Sequence, residues 1–171
     1  MRLAGTDSKA TPAYSSAFDA LSSQIQEDVA VVSTDGKKDW LSAIHLCSPS
    51  HWAAEDKIGK DFTAIHLPVP GIEKVNRAAG SLVDAMVRKG PYVRFVWGFS
   101  TDTQLNHHPE PPPGADPLKW KGRTFDPGRA GSPFLLRVER QTLWGLPEVA
   151  AGIFAIRVYF LDGQQIRDNP K

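Results

Sequence analysis

Alternating apolar and polar positions predict five β-strands along this chain. Such alternation places successive side chains on opposite faces of a sheet. In the third predicted strand, Phe95 and Trp97 share one face and Arg94 lies on the other. The five strands are predicted at residues 28–33, 40–47, 92–99, 133–143 and 152–161.

Apolar residues at helical spacing predict one long helix, residues 72–89, between the second and third strands. A Gly-Pro pair directly after this segment would end the helix. Shorter helices are predicted at residues 17–25 and 52–58. Residues 62–70 are predicted to be extended, because two prolines lie within the segment and each disfavours helix in the residue before it.

The order of these elements is a hairpin, a helical middle and then three strands. It predicts an α+β fold, a PAS-like five-stranded antiparallel sheet with helices over one face, although other α+β folds would satisfy it. We expect a partly disordered extension at residues 1–27, its first dozen residues mobile, one domain at 28–161 and a polar, frayed tail at 162–171. The loop predicted at residues 100–132 is rich in proline and glycine, which is typical of functional or disordered segments.

Composition and charge indicate a single globular domain and exclude several classes of partner. The chain has 171 residues, enough for one domain with its own core, and its net charge of +1 gives no reason to expect nucleic acid or acidic membranes as partners. A single cysteine, Cys47, cannot form an internal disulfide, which favours a reducing compartment. No membrane helix or signal peptide is evident, so we expect a cytoplasmic protein.

Histidines supply the first candidate chemistry. His66 lies in a stiff, apolar, proline-bracketed segment, so it is either a half-buried histidine bonded to a backbone carbonyl or a cofactor ligand. His45, Cys47 and His51 resemble a metal cluster, but their spacing matches no closed zinc pattern and core packing is the main interpretation. His107 and the histidine after it are expected to be solvated, with a lid contact as the alternative.

Polar residues on the later strands supply the second candidate. Strand alternation points Glu139 and Gln141 to one face, and Arg157 would pair with Glu139 if the last two strands are neighbours. Such a row is ordinarily a ladder of weak ion pairs on a wet sheet face. The alternative is a polar pocket wall, in which Glu139 binds a cationic amine and an arginine such as Arg94 binds an acid group or oxygen species.

Several familiar motifs are absent. The sequence contains no dinucleotide or P-loop glycine pattern, no nucleophile elbow and no pair of cysteines for covalent haem attachment. A nucleotide-binding fold and covalently attached haem are therefore not expected.

Longer blocks of sequence are more informative. The first group is His45–Trp52 (HLCSPSHW), Glu55–Lys60 (EDKIGK) and Ile65–Pro70 (IHLPVP). The second group is Leu136–Leu143 (LRVERQTL), followed by Ile153–Tyr159 (IFAIRVY). In this order the blocks resemble the haem-dependent oxidative N-demethylase family, whose α subunit is a PAS-like domain that binds b-type haem and demethylates small methylamines.

The resemblance implies roles for five residues. His66 would be the proximal iron ligand, with Trp97 and Gln141 as further cofactor-binding residues. Arg94 and Glu139 would be catalytic residues of the pocket. Haem iron would activate O2 as a monooxygenase does, with electrons passing from NAD(P)H through a separate flavin or iron–sulfur reductase.

The chain also departs from the family pattern. Val96 stands where the family's Arg-x-Asn-Trp run has an asparagine, and the chain is expected to be shorter than its relatives at both ends. The resemblance therefore leaves a second hypothesis open: a non-catalytic PAS-like binding or sensor module, or an inactive relative.

Overall fold

The computed structural model describes residues 13–121 and 134–168. Its helices are α1 (Ala17–Ser22), α2 (Phe62–His66), α3 (Glu73–Arg77), α4 (Ala79–Arg88), α5 (Pro117–Trp120) and α6 (Gly163–Asp168). Its strands are β1 (Asp28–Thr34), β2 (Asp39–His45), β3 (Tyr92–Ser100), β4 (Leu135–Leu146) and β5 (Ala151–Asp162). Single 3₁₀ turns occupy Ala54–Asp56 and Pro147–Val149.

All five strands join one antiparallel sheet in the order β2-β1-β5-β4-β3. The predicted α+β fold and all five predicted strands are therefore confirmed. β3 and β2 are the two edges of the sheet. In the described residues no helix is long and apolar enough to cross a membrane.

α4 covers part of one face, which we call the inner face. Val83, Met86 and Val87 of α4 are buried against Val32 and Leu41 of the first hairpin. The helix approaches the sheet closely because two strand positions that face it lack side chains. A Cβ at Gly145 would collide with the backbone carbonyl of Val87, and one at Gly152 would lie 2.9 Å from Met86 Cγ.

The predicted long helix is broken in two. Ala78 has φ −98° and ψ 7°, outside the helical region, so α3 ends there and α4 begins. The break lets α3 pack beside α2 while α4 lies on β4 and β5. The apolar stripe in the sequence indicates which side of the helical segment is buried. It does not indicate that the helix axis changes direction within the segment.

The extended conformation predicted for residues 62–70 is wrong, because α2 begins this segment. The Asp61 side chain caps the helix by accepting a hydrogen bond from the Ala64 amide at 2.7 Å. The Phe62 amide donates to Asp39 Oδ2 at 2.6 Å. The prolines follow the helix and restrict only its end, so capping determines the conformation of the first turn.

The ends and the long loop differ in part from the predictions. The predicted mobile first dozen residues lie outside the described part of the chain. Where a frayed tail was expected, α6 forms from Gly163 to Asp168. The predicted 100–132 loop carries α5 in its described part, and residues 122–133 lie outside it. The predicted helix at 52–58 is reduced to one 3₁₀ turn.

Candidate functional site

A continuous row of polar side chains crosses the inner face between β3 and β4. Arg94 Nε donates to Gln141 Oε1 at 2.7 Å, and Gln141 Nε2 donates to Glu139 Oε2 at 2.9 Å. Arg137 then pairs with Glu139 Oε1 and donates a second hydrogen bond to the Ser48 carbonyl at 3.1 Å. We call these four side chains, from Arg94 to Arg137, the polar row.

The row is largely withdrawn from water. Gln141 is 6% exposed, and the side chains of Arg137 and Glu139 are 15% and 20% exposed. Arg94 is exposed along its length on the edge strand, but burial around its guanidinium lowers its pKa, an effect that the charge of Glu139 opposes. The row is therefore closer to the predicted pocket wall than to a ladder on a wet face.

Asp28 lies near the Arg137 end of the row. Its Oδ1 accepts hydrogen bonds from the amides of Cys47 and Ser48 at 2.6 and 2.7 Å. Burial raises the pKa of this carboxyl, while the two amides and the charge of Arg137 lower it. Asp28 thus holds the chain after β2 against the sheet and fixes the Ser48 carbonyl that Arg137 contacts.

His66 ends α2 on the same side of the sheet. Its Nδ1 lies 2.7 Å from the Phe62 carbonyl oxygen, which can only accept, so Nδ1 carries the proton and Nε2 is the basic nitrogen. Burial lowers the pKa of this histidine, and the charges of Arg94 and Lys57 lower it further. Burial and geometry together present a neutral imidazole, and within the described residues Nε2 makes no hydrogen bond.

The inner face of β3 is not covered by α4, which packs on β4 and β5. Tyr92 and Val96 flank Arg94 on this face and are each 43% exposed. Leu67, directly after His66, is 71% exposed. Uncovered apolar side chains therefore flank the polar row on β3, and another directly follows the histidine in the chain.

The structure brings together four of the five predicted site residues. Arg94, Glu139 and Gln141 are in contact in the row, and His66 is within electrostatic range of Arg94. Trp97 is not with them, since it lies on the opposite, outer face and is 63% exposed.

The predicted pairing of Arg157 with Glu139 is wrong. The two strands are neighbours, but Glu139 is opposite Val158, so alternation places Arg157 on the outer face. There its guanidinium lies 3.5 Å from Glu27.

The histidine and cysteine candidates for zinc are dispersed. His45 lies 3.9 Å from Asp19, whereas the His51 ring stacks on His107 at 5.1 Å. In the described ranges no group of three or more histidine, cysteine or acidic side chains could hold a metal ion. Burial raises the pKa of the Cys47 thiol, which suits a packing role.

Sequence reasoning missed a cavity of about 530 Å³ at the Ser100 end of β3. Its wall includes His107, which was expected to be solvated but is half-buried and bonded to Asp102 at 3.0 Å. No local signal marks this cavity, because its wall is assembled from segments far apart in the chain.

One comparison with known proteins bears on this arrangement. A family model described as haem-dependent oxidative N-demethylase, alpha subunit-like, matches residues 2–171.

Proposed function

This chain belongs to the haem-dependent oxidative N-demethylase α-subunit-like family, and we propose from that premise that it binds haem b beside α2 and demethylates a small methylamine. The family description itself supports haem-dependent oxidation by an assembly of subunits. The haem type, the methylamine, the reductase and a cytoplasmic location are our proposals. The observation that supports the haem site is that His66 Nε2 is available to bind iron.

His66 fits an iron ligand in three respects. The hydrogen bond from Nδ1 to the Phe62 carbonyl fixes the ring and its tautomer, as the second nitrogen of a ligating histidine usually requires. Burial keeps the ring neutral, and only a neutral imidazole binds a metal. The uncovered strip of Tyr92 and Val96 offers apolar surface for a flat macrocycle.

When bound, haem would supply the activation of O2, so that amine, oxygen, two electrons and two protons yield demethylated amine, formaldehyde and water. The electrons would come from NAD(P)H through a separate flavin or iron–sulfur reductase.

The polar row supplies the groups that such a substrate needs. Each carboxylate oxygen of Glu139 accepts one hydrogen bond and has capacity for another, so Glu139 can bind the ammonium of a protonated methylamine. Arg94 uses one of its five N–H groups on Gln141, and the rest can donate to an oxygen atom beside the apolar strip. Gln141 bonds to both Arg94 and Glu139 and so orients these two charged side chains.

A second candidate is a haem-binding module without turnover. Val96 is the register partner of Glu139, and it presents an apolar side chain where the family pattern has an asparagine. This position adjoins the proposed amine site, so a polar group that could orient the substrate is missing there.

The test begins with an absorption spectrum of protein from haem-supplemented cells, before and after dithionite. We expect about one haem per chain and a Soret band that shifts on reduction. His66→Ala should lose the haem, whereas the matched His45→Ala, on β2 at the far edge of the sheet, should retain it. Unchanged haem in His66→Ala would disprove the ligand assignment, and a wild type that takes up no hemin would disprove the proposed function.

Amine-dependent oxygen uptake with a supplied reductase separates the two candidates. Formaldehyde formed in proportion to oxygen consumed supports the enzyme. Haem reduction without formaldehyde, across a series of small methylamines, supports the module.

A further inference from the structure

The cavity beside the Ser100 end of β3 lies beyond the proposed iron site. Neither His66 nor Arg94 lines it. Its wall combines His51 and Asp102 with His107, Lys121 and Arg137. It is therefore a separate polar chamber that adjoins the Arg137 end of the row. Arg137 lies four positions before Gln141 on β4.

His107 fixes one wall of the chamber. Its amide donates to the Pro49 carbonyl at 2.9 Å, and its carbonyl accepts from the His51 amide at 2.9 Å. Its ring nitrogens face two oxygens, Asp102 Oδ1 at 3.0 Å and the Trp120 carbonyl at 3.3 Å. Both oxygens are hydrogen-bond acceptors, so the ring is anchored to this wall as a donor.

Hydrogen-bond donors exceed acceptors in the chamber. Asp102 Oδ1 already accepts from both His107 and the Gln104 amide. Arg137 has five N–H groups, and the described residues occupy them only through Glu139 and the Ser48 carbonyl. The Lys121 ammonium has no hydrogen bond or ion pair within the part of the chain that the structure describes. A ligand that completes this wall must bring acceptor oxygens and negative charge.

Two aromatic side chains also line the chamber. The rings of Phe99 and Phe134 lie 4.9 Å apart, and Phe99 is 66% exposed. This aromatic pair, exposed at Phe99 and half-buried at Phe134, lies beside cationic donors, which suits a ligand with an apolar body and an acid group at its edge.

We propose that this chamber binds a carboxylate carried on an apolar body, with Lys121 and Arg137 as the charged donors. Two sources share this chemistry: a propionate of the bound haem and a free small apolar acid. The propionate source rests on the proposed function, and the free-acid source does not.

The experiment uses the full chain purified without haem. Dissociation constants are measured for hemin, for hemin dimethyl ester, which lacks free carboxylates, and for phenylacetate. The variants are Lys121→Gln and Lys121→Arg. Lys119→Gln is the matched control, because Lys119 is a nearby α5 lysine that does not line the chamber.

If a propionate occupies the chamber, Lys121→Gln should weaken hemin binding about five- to tenfold and leave the dimethyl ester unchanged. If a free acid occupies it, phenylacetate should bind, Lys121→Gln should weaken that binding by a similar factor, and hemin should be unaffected. Either result supports the proposal when Lys121→Arg restores affinity and Lys119→Gln has no effect.

The proposal is overturned if Lys121→Gln changes neither hemin nor phenylacetate more than Lys119→Gln does. A chain that binds phenylacetate through Lys121 but takes up no haem would overturn the proposed function and leave the carboxylate site standing.

Discussion

The inner face of the sheet has two unlike halves. α4 closes the face over β1, β2, the C-terminal end of β4 and the N-terminal end of β5. Its residues Val83, Met86 and Val87 are at most 6% exposed. Over β3 the face is open, with Tyr92 and Val96 each 43% exposed and the polar row between this strand and the core.

The difference separates stability from ligand chemistry. Each fully buried aliphatic side chain of the closed half stabilises the fold by about 1.5–3 kcal/mol. In the open half the polar row gains much less, because its groups exchange bonds with water for bonds with one another. The residues of the row can therefore serve a ligand without weakening the core. Substitutions in the closed half should mainly lower stability, and substitutions in the open half should mainly alter ligand binding.

The largest effect on stability is expected at Gly145, in the closed half. A Cβ there collides with the Val87 carbonyl, which belongs to the backbone of α4 and cannot rotate away. Gly145→Ala should lower the free energy of unfolding by about 3 kcal/mol, because the helix must move away from the sheet. Urea denaturation of the chain measures the change.

Gly98→Ala is the control in the open half. It introduces the same methyl group into a strand, but nothing lies within 4 Å of the new Cβ. We expect the stability to remain within about 0.5 kcal/mol of the wild type. Equal losses in the two variants would mean that α4 does not approach the sheet as described.

A smaller loss is expected from Glu139→Ala. The change leaves Arg137 and Gln141 without the carboxylate that joins them, and partners left unsatisfied when half-buried cost about 2 kcal/mol, more than the intact bond gains. Chemical denaturation should show a loss of about this size. Glu148→Ala, at an exposed acidic residue outside the row, should show almost none.

The next prediction concerns pH and His66. Burial lowers its pKa below the ordinary 6.5, so the folded chain binds this proton less readily than the unfolded chain. Stability is then complete above about pH 6.5 and falls as the pH drops through the folded-state pKa. Denaturation of the haem-free protein across this range should show the decline.

His66→Gln isolates this contribution, because glutamine has no proton to titrate there. The decline between about pH 6.5 and the folded-state pKa should become shallower in the variant. Asp28 acts in the opposite sense, since its raised pKa favours the protonated, folded form as the pH falls, and it is retained in both proteins. An identical pH dependence in the two proteins would contradict burial of the His66 ring.

The sequence predicted the strands well because each follows a period of two, and that same period placed Glu139 and Gln141 on one face. It could not predict that Glu139 is opposite Val158, since register depends on tertiary pairing, so the Arg157 pairing was wrong. α2 was missed although its cap, Asp61, directly precedes it, because the two later prolines predict an extended conformation for the whole segment. The further bond from the Phe62 amide to Asp39, 23 positions earlier in the chain, gives no local signal. The resemblance grouped His66 with Trp97, but strand alternation puts Trp97 on the face away from Arg94.

The smallest effect is expected at Trp97 itself. Its side chain is on the outer face and 63% exposed, packed edge-to-face on Phe99 at 5.7 Å, while His66 and the row lie across the sheet. Trp97→Ser should therefore change hemin affinity less than about twofold and stability by only about 0.5 kcal/mol. A hemin titration with His66→Ala in parallel gives the contrast. If Trp97→Ser released the haem as fully as His66→Ala, the cofactor would contact the outer face, and the division of the sheet into a closed half and an open ligand half would no longer explain the protein.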